Sequence, residues 1–304
     1  MRVALALLAL LAAEPTALPT SALRVKAGSA WHVWWRSSAA PARWTESPVL
    51  ARALRWQRGA AGVEWAEAQL AGSGEAWRTR LVVVRIDPAR VRLSLDTAFT
   101  SAPRRPAWST DRRPPDALFA VNAGQFVHTL PWGLVMLDGR EFLPAGSGPL
   151  ASALAADETG ALRWAHGNAA NDVATSGARW AFQSYPTLLR DGEVPEPLRA
   201  DLGLVDVKHR DARAAIGTTS DGRLLVALTR FDAFGTRLGF VPFGLTVPEM
   251  AAVMGALGAR DAMMLDGGIS AQLMLRTANG SVKEWPGLRK VPLALVARDG
   301  GVTD

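Results

Sequence analysis

The chain has 304 residues, is 49% hydrophobic and carries a formal charge of +6, which is ample for a sizeable core and excludes global disorder. It has no cysteine, which excludes a disulfide framework and a lipid-attachment cysteine. The basic excess is mostly arginine spread among acids, as in DARAAIG and LTRFD, and not gathered into the stripe by which a nucleic-acid binder would neutralise phosphates.

At the N-terminus Arg2 precedes an unbroken apolar run from Val3 to Ala13, followed by Pro15, Pro19 and the small residues Ser21 and Ala22. That is the pattern of a secretory signal peptide over residues 1–22. The run falls short of the about 20 residues a membrane span needs, so a periplasmic or secreted protein with no stable membrane anchor is expected. Next comes WHVWWRSSAAPARW, Trp31 to Trp44. Its aromatics have two readings, cover for an edge of the core and platforms for sugars or bases, of which the first is the commoner.

Apolar runs at Leu81–Val84 and Val91–Leu95 predict two strands separated by IDPAR, and the stretch from Pro103 to Pro115 reads as an exposed loop. Three Asp-Gly pairs with apolar flanks predict hairpins: Asp138-Gly139, Asp191-Gly192 and Asp221-Gly222. In GLTVPEMAAVMGALGARD, Thr246 and Glu249 form a capping box. Pro248 suits the first turn, Met250, Val253, Met254 and Leu257 recur at helical spacing, and Gly258 stops the helix. A strand ending at Leu265 then delivers Asp266 to the Gly267-Gly268 pair, whose permissive dihedrals allow a sharp turn. We expect an α+β fold: a mixed, largely antiparallel sheet core with flanking helices in one main domain over 75–304, and an N-terminal extension, 23–74, packed on it.

The common catalytic templates are absent: no phosphate loop, no nucleophile elbow, no cysteine nucleophile, and no metal-type spacing among His32, His128, His166 and His209. No cofactor is implied. What remains are polar residues beside a glycine at a strand end. Asn122 follows an apolar run with Gly124 close by. Arg213 precedes Ala214, Ala215 and Ile216, with Gly217 and Thr218 beyond. Asp266 leads into Gly267, Gly268 and Ser270, and Gln183 and Ser184 stand before Pro186. Each has a structural alternative, since Asn and Asp also cap turns and an arginine also solvates a strand.

In order, NAGQF, WGLVMLDGR, FQSYPTLLRDG, RAAIGTTSDGRLL and GLTVPEMAAVMGALGARDAMMLDGGIS resemble the motifs of the phosphodiester glycosidase family. The resemblance runs from about Leu81 to the C-terminus. It departs from the family at Ala123 and Gln125, at Ala214, and at Ile269, where a third glycine is usual. It implies a hydrolase cleaving the glycosidic bond of a sugar-1-phosphodiester in a phosphorylated glycan or glycoconjugate. Asp266 would then be nucleophile or base at the sugar carbon and Arg213 the phosphate clamp. Asn122 and Gln183 would hold hydroxyls or phosphate oxygens, with Ser184, Gly217, Thr218 and the Gly267–Ser270 turn around them. The other class of function compatible with the sequence is an exported polysaccharide-binding or assembly protein without turnover.

Overall fold

A computed structural model describes residues 21–97, 106–233, 239 and 241–301; the leader lies almost entirely outside them. In chain order the strands begin with β1 (Ala22–Ala27), β2 (Ala30–Arg36), β3 (Gln57–Arg58), β4 (Val63–Ala71), β5 (Thr79–Ile86) and β6 (Val91–Thr97). Next come β7 (Phe119–Asn122), β8 (Phe126–Val127), β9 (Leu130–Pro131), β10 (Val135–Leu137), β11 (Arg140–Leu143), β12 (Ser152–Ala156) and β13 (Leu162–His166). The last are β14 (Trp180–Ser184), β15 (Thr187–Leu189), β16 (Ala214–Thr219), β17 (Leu224–Phe231), β18 (Ala259–Leu265), β19 (Leu273–Arg276), β20 (Val282–Trp285) and β21 (Leu293–Asp299). The α-helices are α1 (Pro48–Ala53), α2 (Glu196–Arg199) and α3 (Val247–Ala256).

Nine strands form the central sheet in the order β15-β18-β16-β17-β5-β4-β1-β2, with β3 on β4. Two five-stranded sheets, β11-β10-β14-β12-β13 and β20-β19-β7-β21-β6, and the two-stranded β8-β9 hairpin complete the fold. The sheet is antiparallel in every ladder among the described residues, so the expected mixture of directions is not seen. Helices are fewer than flanking layers would need. The 23–74 segment is woven into the central sheet, because β4 pairs with β5 from Val63↔Ile86 to Leu70↔Thr79.

The middle strands of the central sheet are buried on both faces, and their sequence shows why. In β5, Leu81 and Val83 enter one core with Met250, Val253 and Met254 of α3. Val82, Val84 and Ile86 enter the other, with Phe119, Val121, Phe182 and Leu295 from the two smaller sheets. A strand covered on both sides reads as a continuous apolar run instead of an alternation. Trp35 is buried in the first core, and Trp34 and Trp44 pack against it; only Trp31 of this group is largely exposed, at 42%.

The Asp138-Gly139 and Asp191-Gly192 turns have positive φ at both residues, and Gly222 supplies it in the third hairpin. The capping box of α3 forms as read. Its Glu249 is fully buried and also takes a two-point ion pair from Arg210, at 2.6 and 2.9 Å. The stretch before Pro115 is not wholly exposed: Trp108 is fully buried and its backbone exchanges hydrogen bonds of 3.0 and 2.9 Å with Val291.

Candidate active site

The sheet order sets the site. Strand β18 lies between β15 and β16, pairing Thr187 with Met263 on one side and Ala214 with Leu265 on the other. Asp266 therefore leaves the sheet with Pro186 on its β15 side and Arg213 on its β16 side. All three line one open cavity of about 440 Å³, together with Gln125, Asp211 and the Gly267–Ser270 turn. A larger cleft of about 570 Å³ lies between β6 and the Asp157–Gly160 turn, but none of the candidate catalytic or substrate-binding residues lines it.

Asp266 is held by its backbone. Its N–H donates to the Gly124 carbonyl at 2.9 Å, and its own carbonyl accepts from Asn122 Nδ2 at 2.9 Å. The side chain is left free to face the cavity, where the Ser270 hydroxyl donates to it. Burial pushes its pKa from the ordinary 3.8 up to about 6; the Ser270 bond and the charge of Arg289 oppose the rise, while the charge of Asp211 adds to it. Asp211 is also raised, mainly by burial, against the charges of Arg213 and His209. Two carboxylates thus share a site with two guanidinium groups.

The turn works differently from the expectation. Gly268 has φ +58, but Gly267 has φ −100. Gly267 is required by close approach, because a Cβ there would stand 2.6 Å from the Ala212 carbonyl oxygen. A Cβ on Gly268 would meet an Asp211 carboxylate oxygen at 3.0 Å. The Gly268 N–H is occupied by the Ala212 carbonyl at 2.7 Å, so it does not point freely at a ligand.

Arg213 is anchored by Nε to the Leu245 carbonyl at 2.8 Å and by one terminal nitrogen to the His209 carbonyl at 2.5 Å. The hydrogen bonds of its guanidinium to described residues use Nε and that one terminal nitrogen. Burial lowers its pKa, and the charges of Asp211, Asp206 and Glu249 offset this in part. An oriented guanidinium with one terminal nitrogen unbonded among the described residues can receive an anion.

The other expected site residues are placed in the frame. Asn122 is buried and spends its amide on backbone, donating to Asp266 and accepting from the Gln272 N–H at 2.9 Å. Gln183 is buried, accepts from the N–H groups of Leu134 and Gly146 and donates to the Gly146 carbonyl. Ser184 donates to the Met264 carbonyl at 2.6 Å. Gly217 lets β16 pass the Asp261 carbonyl, 2.5 Å from where a Cβ would stand. The hydroxyl of Thr218 accepts from Trp164 Nε1 at 2.8 Å, and Thr218 pairs with Asp261 at the far end of β18.

Gln125, Asp211 and Arg289 were missed. Gln125 bonds two backbone carbonyls across the site, and Arg289 follows β20 by several residues; no local pattern marks either. Asp211 had a signal, an acid two residues before Arg213. Among the described residues no cluster of histidine and acids has a metal-binding arrangement.

A strand-end carboxylate and an arginine on the neighbouring strand end, lining one cavity beside a glycine turn on a largely antiparallel fold, define a site suited to a ligand with an anionic group. The phosphodiester glycosidase family model matches residues 115–298, more than half of the chain, and the chain belongs to that family. No curated protein matches it significantly. Among solved structures it is similar to the catalytic domain of zebrafish N-acetylglucosamine-1-phosphodiester alpha-N-acetylglucosaminidase, auto-inhibited by its pro-peptide. The two are 16% identical with a TM-score of 0.58, over 81% of this chain and 88% of that one. It is also similar to a Burkholderia pseudomallei protein thought to be exported, at 14% identity and a TM-score of 0.53, over 81% of this chain and 96% of the other. At these identities the likeness is one of fold.

Proposed function

We propose that this protein is an exported hydrolase that cleaves the bond between the anomeric carbon of a sugar and the oxygen of a phosphodiester. The observation that carries the reading is the placing of Asp266 and Arg213 on adjacent strand ends in one cavity. As the bond breaks, its electron pair leaves with the phosphate oxygen and positive charge develops on the sugar ring. Asp266, ionised above pH about 6, meets that charge as nucleophile or as base for water. Water supplies the hydroxyl that ends on carbon 1. The departing phosphate monoester is a good leaving group and needs little protonation. Arg213, through its remaining terminal nitrogen, neutralises the oxygens on which charge accumulates, an effect strengthened by its partial burial. Asn122 acts one step back, fixing the Asp266 backbone. The leader of Arg2 and Val3–Ala13 directs the chain out of the cytoplasm, and no described helix is long and apolar enough to cross a membrane.

The test is a screen of the purified mature protein against sugar-1-phosphodiesters, including a chromogenic nitrophenyl phosphodiester, with Arg213→Ala and Arg213→Lys beside the wild type. Alanine should weaken phosphate binding and turnover together, by roughly 2–5 kcal/mol for a desolvated charge pair. Lysine should restore only part, because a point charge lacks the planar fork. Hydrolysis of none of these substrates, or unchanged kinetics in Arg213→Ala, would refute the assignment.

A further inference from the structure

The chemistry above leaves one carboxylate of the cavity without a task. Asp211 lines the same cavity as Asp266. Its two carboxylate oxygens lie 3.0 and 3.2 Å from where a Cβ on Gly268 would stand, so it rests against the turn that Asp266 begins. Its backbone is pinned there as well: the Asp211 N–H donates to the Leu245 carbonyl at 3.2 Å, and the Asp211 carbonyl accepts from the Leu245 N–H at 3.0 Å.

This carboxylate is not spent as a hydrogen-bonded counter-ion of Arg213. The Arg213 guanidinium is turned to the carbonyls of Leu245 and His209, whereas Asp211 accepts from the Ala212 N–H at 2.8 Å and pairs with His209 Nε2 at 3.7 Å. The His209 side chain is 61% exposed, so its imidazole joins the Asp211 carboxylate to bulk water. Around Asp266 stand instead the Ser270 hydroxyl and the charge of Arg289, neither of which carries a proton away at neutral pH.

A second negative charge repels an anionic substrate, and Arg213 and Arg289 in the same cavity have to offset it. The departing phosphate needs little protonation, so the charge is not wanted as an acid. What remains in glycoside cleavage is the activation of water. We propose that Asp211 is a second catalytic carboxylate, the base for water in a two-step displacement in which Asp266 is the nucleophile. In the first step an Asp266 oxygen bonds to carbon 1 while the bond from carbon 1 to the phosphate oxygen breaks, its electron pair leaving with the phosphate. In the second, a water oxygen bonds to carbon 1 and the bond to Asp266 breaks, its pair returning to the carboxylate. The water proton passes to Asp211 and, through His209, to solvent. Two inversions leave the sugar with its original configuration. Burial raises the pKa of Asp211, which makes it a stronger base than an exposed aspartate. This division of labour rests on the phosphodiester glycosidase reading and adds to it which carboxylate serves which step.

The test uses the sugar-1-phosphodiester that the wild type hydrolyses fastest. Proton NMR at early times should show the sugar released with the anomeric configuration of the substrate. Asp211→Ala and the near-isosteric Asp211→Asn should lower kcat roughly 100-fold or more. Azide, a nucleophile that needs no base, should restore turnover of Asp211→Ala and give a glycosyl azide of retained configuration, a rescue that loss of a merely structural carboxylate would not show. Asp211→Ser carries the same azide test should the alanine variant fail to fold, and melting curves of all variants decide which is used. Release of inverted sugar by the wild type, an unchanged kcat in the folded variants, or lost turnover that azide does not restore would overturn the assignment. A wild type that hydrolyses none of the diesters would dispose of the glycosidase reading and of this role with it, whereas a retaining wild type with full-rate variants would overturn Asp211 alone.

Discussion

Replacing Asp266 with asparagine should damage activity and strengthen the fold, two effects that a simple turn residue would not combine. Its carboxyl is raised from 3.8 to about 6, chiefly by burial. A folded-state pKa above the unfolded value means that the native protein binds the proton more tightly. Stability is therefore lost as pH climbs from about 4 to about 6, and the full cost is present at neutral pH. At 1.36 kcal/mol for each tenfold change in acidity the cost is about 3 kcal/mol. The neutral amide avoids it but must still receive the Ser270 hydroxyl and place its own N–H groups, so a net gain of roughly 1–3 kcal/mol is reasonable. For a chain of this size each kcal/mol raises the melting temperature by roughly 2–4 °C. Thermal melts of both proteins from pH 4 to 8 should show a gap that is wide at pH 7 and closes toward pH 4. Turnover should meanwhile fall by several orders of magnitude if Asp266 attacks carbon 1 or activates water. In the wild type the acid limb of kcat/KM should lie near pH 6. A variant that melts like the wild type at every pH and keeps its turnover would refute both the burial cost and the catalytic role.

Two further substitutions separate the site from its frame. Gly267→Val should cost roughly 2–4 kcal/mol and abolish activity, because a Cβ would stand 2.6 Å from the Ala212 carbonyl, a backbone atom that has no room to yield; urea denaturation and turnover check it, and a fully stable, active variant removes the close approach from the argument. Gln183→Ala should cost a similar roughly 2–4 kcal/mol by stranding the N–H groups of Leu134 and Gly146, yet turnover of the folded protein should stay near wild type, since Gln183 lies outside the cavity; a selective loss of turnover at unchanged melting temperature would return it to the substrate.

The sequence made the local rules visible and hid the long-range ones. Asp-Gly turns, the Thr246–Glu249 capping box and the strand leading to Asp266 all follow from neighbours a few residues apart, and they formed as the local chemistry requires. The joint role of Arg213 and Asp266 came from the family resemblance, and the pairing of Ala214 with Leu265 sets their two strand ends side by side. Asn122, Gln183 and Ser184 looked equally reactive because a buried amide or hydroxyl beside an apolar run has the same local appearance whether it faces ligand or backbone. Their partners, at 266, 146 and 264, are distant in sequence; Asn122 and Ser184 close backbone groups between two sheets, and Gln183 closes them beside the β10–β11 hairpin of its own sheet.

Arg230 shows the same limit from the other side. It sits one residue from the end of the apolar strand β17, 6% exposed, and donates to the carbonyls of Ala271, Trp285 and Pro286. Burial alone lowers its pKa to about 10, and no acid accompanies it among the described contacts. Read along the chain, LTRFD suggested only arginine mingled with acids. In three dimensions that arginine supplies donors to the segment that follows the Asp266 turn. A burying cost of this kind is tolerable only because several carbonyls share the charge. Such residues carry no periodicity and sit in no motif. Their positions are dictated by which loops the sheets bring together, which is information a single sequence distributes over its whole length.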